Sequence, residues 1–140
     1  MKSTIYPCLW FNGQAKEAAD FYCGIFKNSR ILTNTPMVVT FELNGALFMG
    51  LNAGPQFKFT EAISYVVECD TQEEIDHYWS KLTDGGKEIE CGWLKDKFGL
   101  SWQIVPSILG QLMSDPQKVP QVMQVVNRTI KFNVRDLENI

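Results

Sequence analysis

Apolar positions near the start of the chain follow two different periods. Ile5 to Phe11 is a short apolar, aromatic-rich run ending at Asn12-Gly13, the pattern of a strand followed by a helix start. Ala15, Ala18, Ala19, Tyr22, Ile25 and Phe26 then fall on one stripe of an α-helix, with Lys16, Glu17 and Asp20 off it. Three short runs of β character follow, Ile31 to Thr35, Met37 to Leu43 and Ala46 to Leu51. The last two are joined by Asn44-Gly45, the favoured pair for a two-residue hairpin turn. The predicted order is βαβββ.

Beyond Gly54-Pro55 the series repeats. Ala62 to Cys69 reads as a strand, and Thr71 with Glu74 forms a capping box that opens a helix with the stripe Ile75, Tyr78, Trp79 and Leu82. Asp84-Gly85-Gly86 stops it, because glycine accepts the left-handed conformation of a helix end. Lys87 to Cys91, Gly92 to Lys95 and Leu100 to Val105 supply three more strands, with Asp96 to Gly99 as the last turn. The first strand of each series starts near Ile5 and Ala62, an offset of 57 residues in a pattern of elements rather than of identities. The tail differs. Ile108, Leu109, Leu112 and Met113, then Val119, Val122, Met123 and Val126, have helical spacing broken by Asp115-Pro116, which predicts two short helices packed on the sheet or on another subunit. The fold class is α+β: one domain, residues 1–140, with modules at 1–60 and 61–105 and a helical extension at 106–140.

Composition narrows the function. With 140 residues, 45% hydrophobic, 17 aromatics and 21% charged, the chain can bury one core and is not disordered. A net charge of −3, without a basic run, excludes nucleic acid as a partner. No apolar run reaches the roughly 18 residues that span a bilayer, and Met1-Lys2-Ser3-Thr4 lacks a signal-peptide core, so no membrane partner and a cytoplasmic location are expected. Cys8, Cys23, Cys69 and Cys91 form no C-x-x-C pair and are expected as reduced thiols. His77, the only histidine, lies off the buried stripe of the second helix and reads as a surface residue. Cys91 beside Trp93 is a conceivable nucleophile, but no histidine is near in sequence, and a buried structural thiol is the favoured reading.

Several stretches resemble a known family. They are Leu9-Trp10-Phe11 with Gly13, Glu17-Ala18-Ala19-Asp20-Phe21-Tyr22, Phe41-Glu42-Leu43-Asn44-Gly45, Asn52-Ala53-Gly54-Pro55 with Phe57 and Phe59, and Cys91 to Gly99 with Ser101 to Pro106. Over residues 5–127 they look like the PhnB-like branch of the vicinal-oxygen-chelate superfamily, which includes glyoxalase I, extradiol dioxygenases and the bleomycin and fosfomycin resistance proteins. That branch often bears the label 3-demethylubiquinone-9 3-methyltransferase. One departure is the short Thr33 to Pro36 loop, where relatives commonly have a longer Gly-rich one, so any cleft cover it gives is reduced.

The resemblance implies paired modules forming a cupped mixed sheet, and a homodimer. In metal-dependent members, ligands come from the first and fourth strands of each module. Here those runs offer only Cys8, Glu68 and Cys69, and Gln103 stands where relatives such as glyoxalase I put a metal-binding Glu. No metal and no cofactor are therefore expected. Strand alternation puts Ser101, Gln103 and Val105, Ser64, Val66 and Glu68, and Phe48, Gly50 and Asn52 on the faces expected to line the cup. The candidate ligand-binding set is Phe48, Asn52, Ser64 and Gln103, with Cys91 and Trp93 beside them. Its polar groups bind a small planar or amphipathic molecule, or they are internal hydrogen bonds of a packed core. Two functions follow: a metal-independent protein binding a small hydrophobic or planar metabolite or antibiotic, or a glyoxalase- or dioxygenase-like enzyme using the same cleft. Methyl transfer is rejected, because the common methyltransferases have a doubly wound sheet with a Gly-rich loop and no G-x-G occurs here.

Overall fold

The computed structural model describes residues 3–140 and divides after Phe59 into two units. In the first, β1 (Cys8–Phe11) leads into α1 (Ala15–Cys23), and β2 (Arg30–Asn34), β3 (Val38–Leu43) and β4 (Ala46–Asn52) follow. The sheet order is β1-β4-β3-β2, with β1 parallel to β4 and the other pairs antiparallel. Asn44 and Gly45 both hold positive φ, which the tight β3–β4 turn requires.

Helix α1 covers one face of this sheet. Its stripe Ala15, Ala18, Ala19 and Tyr22 is fully buried, as are Val39 and Phe41 of β3. The small residues let helix and strand close up: a β-carbon on Gly50 would stand 3.0 Å from Cβ of Ala15. Asn52 joins helix to sheet, its Oδ1 accepting from Ala15 N at 2.9 Å and its Nδ2 donating to Pro36 O at 3.0 Å. Because Gln14 gives no side-chain cap, Asn52 satisfies a helix N–H that would otherwise lack a partner.

The second unit repeats the order β5-β8-β7-β6, with β5 (Tyr65–Cys69) parallel to β8 (Ser101–Pro106) and β6 (Lys87–Glu88) and β7 (Trp93–Lys95) antiparallel beyond it. Both leading strands start three residues later than the sequence suggests, at Cys8 and Tyr65, so the 57-residue offset persists. Helix α2 (Gln72–Thr83) starts at Thr71, whose Oγ1 accepts from Glu74 N at 3.2 Å. It buries Ile75, Trp79 and Leu82 against the sheet.

The tail belongs to this second unit. It forms α3 (Ile108–Met113), α4 (Val119–Arg128) and a third helix the periodicity did not predict, α5 (Arg135–Glu138). Leu112, Val122, Val125, Phe132 and Leu137 are its buried apolar residues, so the apolar stripe of α4 centres on Val122 and Val125, with Met123 and Val126 half-buried. The tail folds back on its own unit through Thr129–Val134. No helix among the described residues is long and apolar enough to cross a membrane.

Candidate functional site

Each sheet has one face under its helix and one away from it. In the second unit, Trp102 and Ile104 of β8 and Leu94 of β7 are buried on the helix side. Alternation therefore turns Gln103 and Val105, with Trp93 and Lys95, to the open face. The ladder sets Trp93 opposite Gln103 on one side and Val66 opposite it on the other. Gln103 Nε2 donates to Ser64 Oγ at 2.9 Å, just before β5 begins. Ser64, Trp93 and Gln103 are thus brought together, half-buried, beside the exposed Val66. The Gln103 amide is oriented by Ser64, which takes one N–H of its NH₂ and leaves the other N–H and Oε1 for a further partner.

Phe48 and Asn52 stand elsewhere. The sequence reading put them on the cup-lining face, but Phe48 is buried on the α1 side, stacked on Phe41 with ring centroids 5.6 Å apart, and Asn52 caps α1. The open face of β4 carries Leu47, Met49 and Leu51 instead, because Gly50 is where α1 makes its close approach. Cys91 is likewise not a buried core thiol. It sits half-buried in the turn between β6 and β7, at a φ of 64°.

A residue the sequence reading treated only as a turn marker organises the site from behind. Asp96, 3% exposed, accepts through Oδ1 from Phe98 N at 2.8 Å and Leu100 N at 3.1 Å, and through Oδ2 from the indole N–H of Trp102 at 2.9 Å. It fixes the Asp96–Gly99 turn, and with it the register that sets Gln103 opposite Trp93. The available signal was an Asp at the head of a tight turn with a Trp six residues later, since both kinds of group need partners when buried.

Among the described residues, no three His, Cys, Asp or Glu side chains come together. Around Gln103 the donors are amide, hydroxyl and indole groups, which suit hydrogen bonding and stacking rather than divalent-metal coordination. His77 is exposed on α2, with its ring 5.0 Å from that of Tyr78.

Cys69, at the end of β5, is the buried thiol of the molecule. Burial, with the charges of Glu74 and Asp70 adding to it, pushes its pKa up to about 12 from 9.0. A group whose folded pKa is raised gives stability that is complete below the unfolded pKa and is lost as pH rises toward the folded one. Resistance to urea should therefore decline between pH 9 and about 12, and Cys69→Ala should decline less over that window. Parallel pH profiles for the two proteins would contradict this assignment.

Comparison with known proteins places these elements in a family. The family described as 3-demethylubiquinone-9 3-methyltransferase matches residues 3–105. The solved PhnB protein of Bacillus cereus is 35% identical, with 75% of this chain and all of that one covered and a TM-score of 0.69. Protein PA1353 of Pseudomonas aeruginosa, 18% identical, covers 75% of this chain and 98% of its own at a TM-score of 0.65. The fosfomycin resistance protein FosX of Listeria monocytogenes, solved with Mn(II) and sulfate, shares the fold at 12% identity and a TM-score of 0.60, with 81% and 98% covered. No curated protein matches the chain. The tandem βαβββ units, the family match over both and the likeness to the Bacillus protein together show that the chain belongs to this PhnB-like family, with a fold shared by glyoxalase/bleomycin resistance proteins.

Proposed function

We propose that the chain binds a small hydrophobic or planar molecule on the open face of the second sheet, without a metal, in the cytoplasm and as a homodimer. The observation that carries this reading is the Gln103 amide, oriented by Ser64 and left with a free acceptor in the ladder position next to Trp93. A flat ligand could lie against the indole and present an N–H or O–H to Gln103 Oε1. The exposed Val66 across the ladder adds apolar area.

Methyl transfer is not carried over from the family's name. Two four-stranded mixed sheets differ from the doubly wound parallel sheet on which the common S-adenosylmethionine enzymes hold their cofactor. A glyoxalase- or dioxygenase-like enzyme needs an acid, base or metal at its reacting centre. Glu68, the only carboxylate that β5 and β8 carry, pairs with Val105 rather than Gln103, and Lys95 of the same face is tied up in an ion pair with Glu61.

The test is a thermal-shift screen of aromatic and heterocyclic metabolites and antibiotics, followed by titration of the best binder. Gln103→Ala should weaken that binder about tenfold, the worth of one hydrogen bond, while moving the urea midpoint little. Affinity should be unchanged after treatment with EDTA. An unaltered affinity in Gln103→Ala would remove the site from this face, and loss of binding with EDTA would restore a metal.

A further inference from the structure

The hairpin of β6 and β7 turns through Glu90–Trp93, where Trp93 N donates to Glu90 O at 3.2 Å and Ile89 N donates to Trp93 O at 2.9 Å. Its two central residues, Cys91 and Gly92, have φ of 64° and 80°. That pair of positive values marks a type I′ turn, whose first central position normally takes Asn, Asp or Gly because a β-carbon is crowded there. A cysteine held in this conformation requires outside support.

The support comes from the chain after α4. Cys91 N donates to Thr129 O at 2.7 Å and Gly92 N donates to Ile130 O at 2.8 Å, so both central amides of the turn are taken. Phe132, 1% exposed, lies directly on Gly92: a β-carbon there would stand 2.7 Å from Cδ2 of the ring. The supporting segment is itself tied to α2. The Gln72 side chain donates to Phe132 O at 3.1 Å and accepts from Val134 N at 2.8 Å, while Lys131 pairs with Asp76 at 2.5 Å and holds that carboxyl below its usual pKa range.

We propose that residues 129–134 form a strap that positions the candidate site, with Phe132 as its positioning residue. By holding Cys91 and Gly92 in the left-handed turn, the strap sets where the next side chain, Trp93, stands opposite Gln103. The family match ends at residue 105, so the strap lies beyond the matched residues while the turn it holds lies within them. Its consequence for a ligand rests on the reading of the open face given above, whereas the strap itself can be tested without one.

The probe is the full chain labelled with 5-fluorotryptophan, the Trp93 resonance being assigned with Trp93→Phe. In Phe132→Ala the Trp93 resonance should shift and broaden, while that of Trp102, held by Asp96, stays in place. Cys91 should react at least about tenfold faster with an aromatic disulfide reagent, as expected when a local closed state is loosened. Phe132→Leu should restore both readouts. Gly92→Ala should disturb Trp93 as well, and adding Phe132→Ala should partly relieve it by removing the ring that the new methyl meets. If Phe132→Ala collapses the dispersion of every tryptophan, Gln72→Ala, which frees the strap without emptying the core, decides on the same readouts. An undisturbed Trp93 and an unchanged Cys91 rate in the deciding variant overturn the strap. Failure of the site reading is separate, because Gln103→Ala can leave ligand affinity untouched while the strap still holds Trp93.

Discussion

Asp96→Ala is expected to lower the unfolding free energy by about 4 kcal/mol, measured from urea midpoints at neutral pH. The substitution leaves the buried Leu100 N–H and the Trp102 indole N–H without an acceptor, and the Phe98 N–H partly so. An unsatisfied buried donor costs about 1–3 kcal/mol, and the three share one carboxylate, so their costs fall short of adding fully. Asp96→Asn separates charge from geometry. The amide keeps one oxygen for the turn N–H groups but directs an NH₂ at the Trp102 N–H, so about 2 kcal/mol should be lost. If Asp96→Ala proves as mild as a surface change, the turn does not fix the β7–β8 register, and the placement of Trp93 opposite Gln103 needs another cause.

How far the sequence discloses the molecule depends on whether its two faces differ chemically. Along α1 the stripe of Ala15, Ala18, Ala19 and Tyr22 contrasts with Lys16, Glu17 and Asp20, and the helix lies where that contrast puts it. In β8 the choice between Trp102 with Ile104 and Gln103 with Val105 is also decided by polarity, and Gln103 stands on the open face. β4 has no such contrast. Leu47, Met49 and Leu51 on one side face away from α1, and Phe48 and Gly50 on the other face it, yet both rows are apolar apart from Asn52. A one-residue choice of parity then sends every side chain to the wrong face. The clue was size: Gly50 and Ala15 are small because helix and strand meet there, and the phenylalanine two residues before Gly50 must share its side. The tail shows the same dependence. α4 repeats over three turns and can be read from sequence, whereas α5 spans four residues and carries no period. Phe132, between them, is placed by Gly92 on the far side of the sequence, so no local pattern could disclose it.

The neighbouring glycines that end α2 should respond very differently to alanine. Gly85, at a φ of 75°, provides the left-handed conformation of the helix end, and Gly85→Ala should cost about 1 kcal/mol through backbone conformation. Gly86 does something the sequence reading did not separate from this. A β-carbon at 86 would overlap the carbonyl oxygen of Lys95 and stand 2.9 Å from both Cα and C of Asp96. These are backbone atoms in a ladder: Lys95 pairs with Lys87 on one side and Ser101 on the other, and Asp96 N donates to Leu100 O at 2.9 Å. No side chain can swing aside to make room, so the strand must shift or the helix end must lift. Gly86→Ala should therefore cost about 3 kcal/mol, the upper end for overpacking a close contact, and its effect should reach the open face through the displaced Lys95–Ser101 pair. Urea titration of the two alanine variants side by side is the check. Equal, mild losses would mean that the crossing at Gly86 is loose and that the β7 end of the site is held only by the Asp96 turn and the strap.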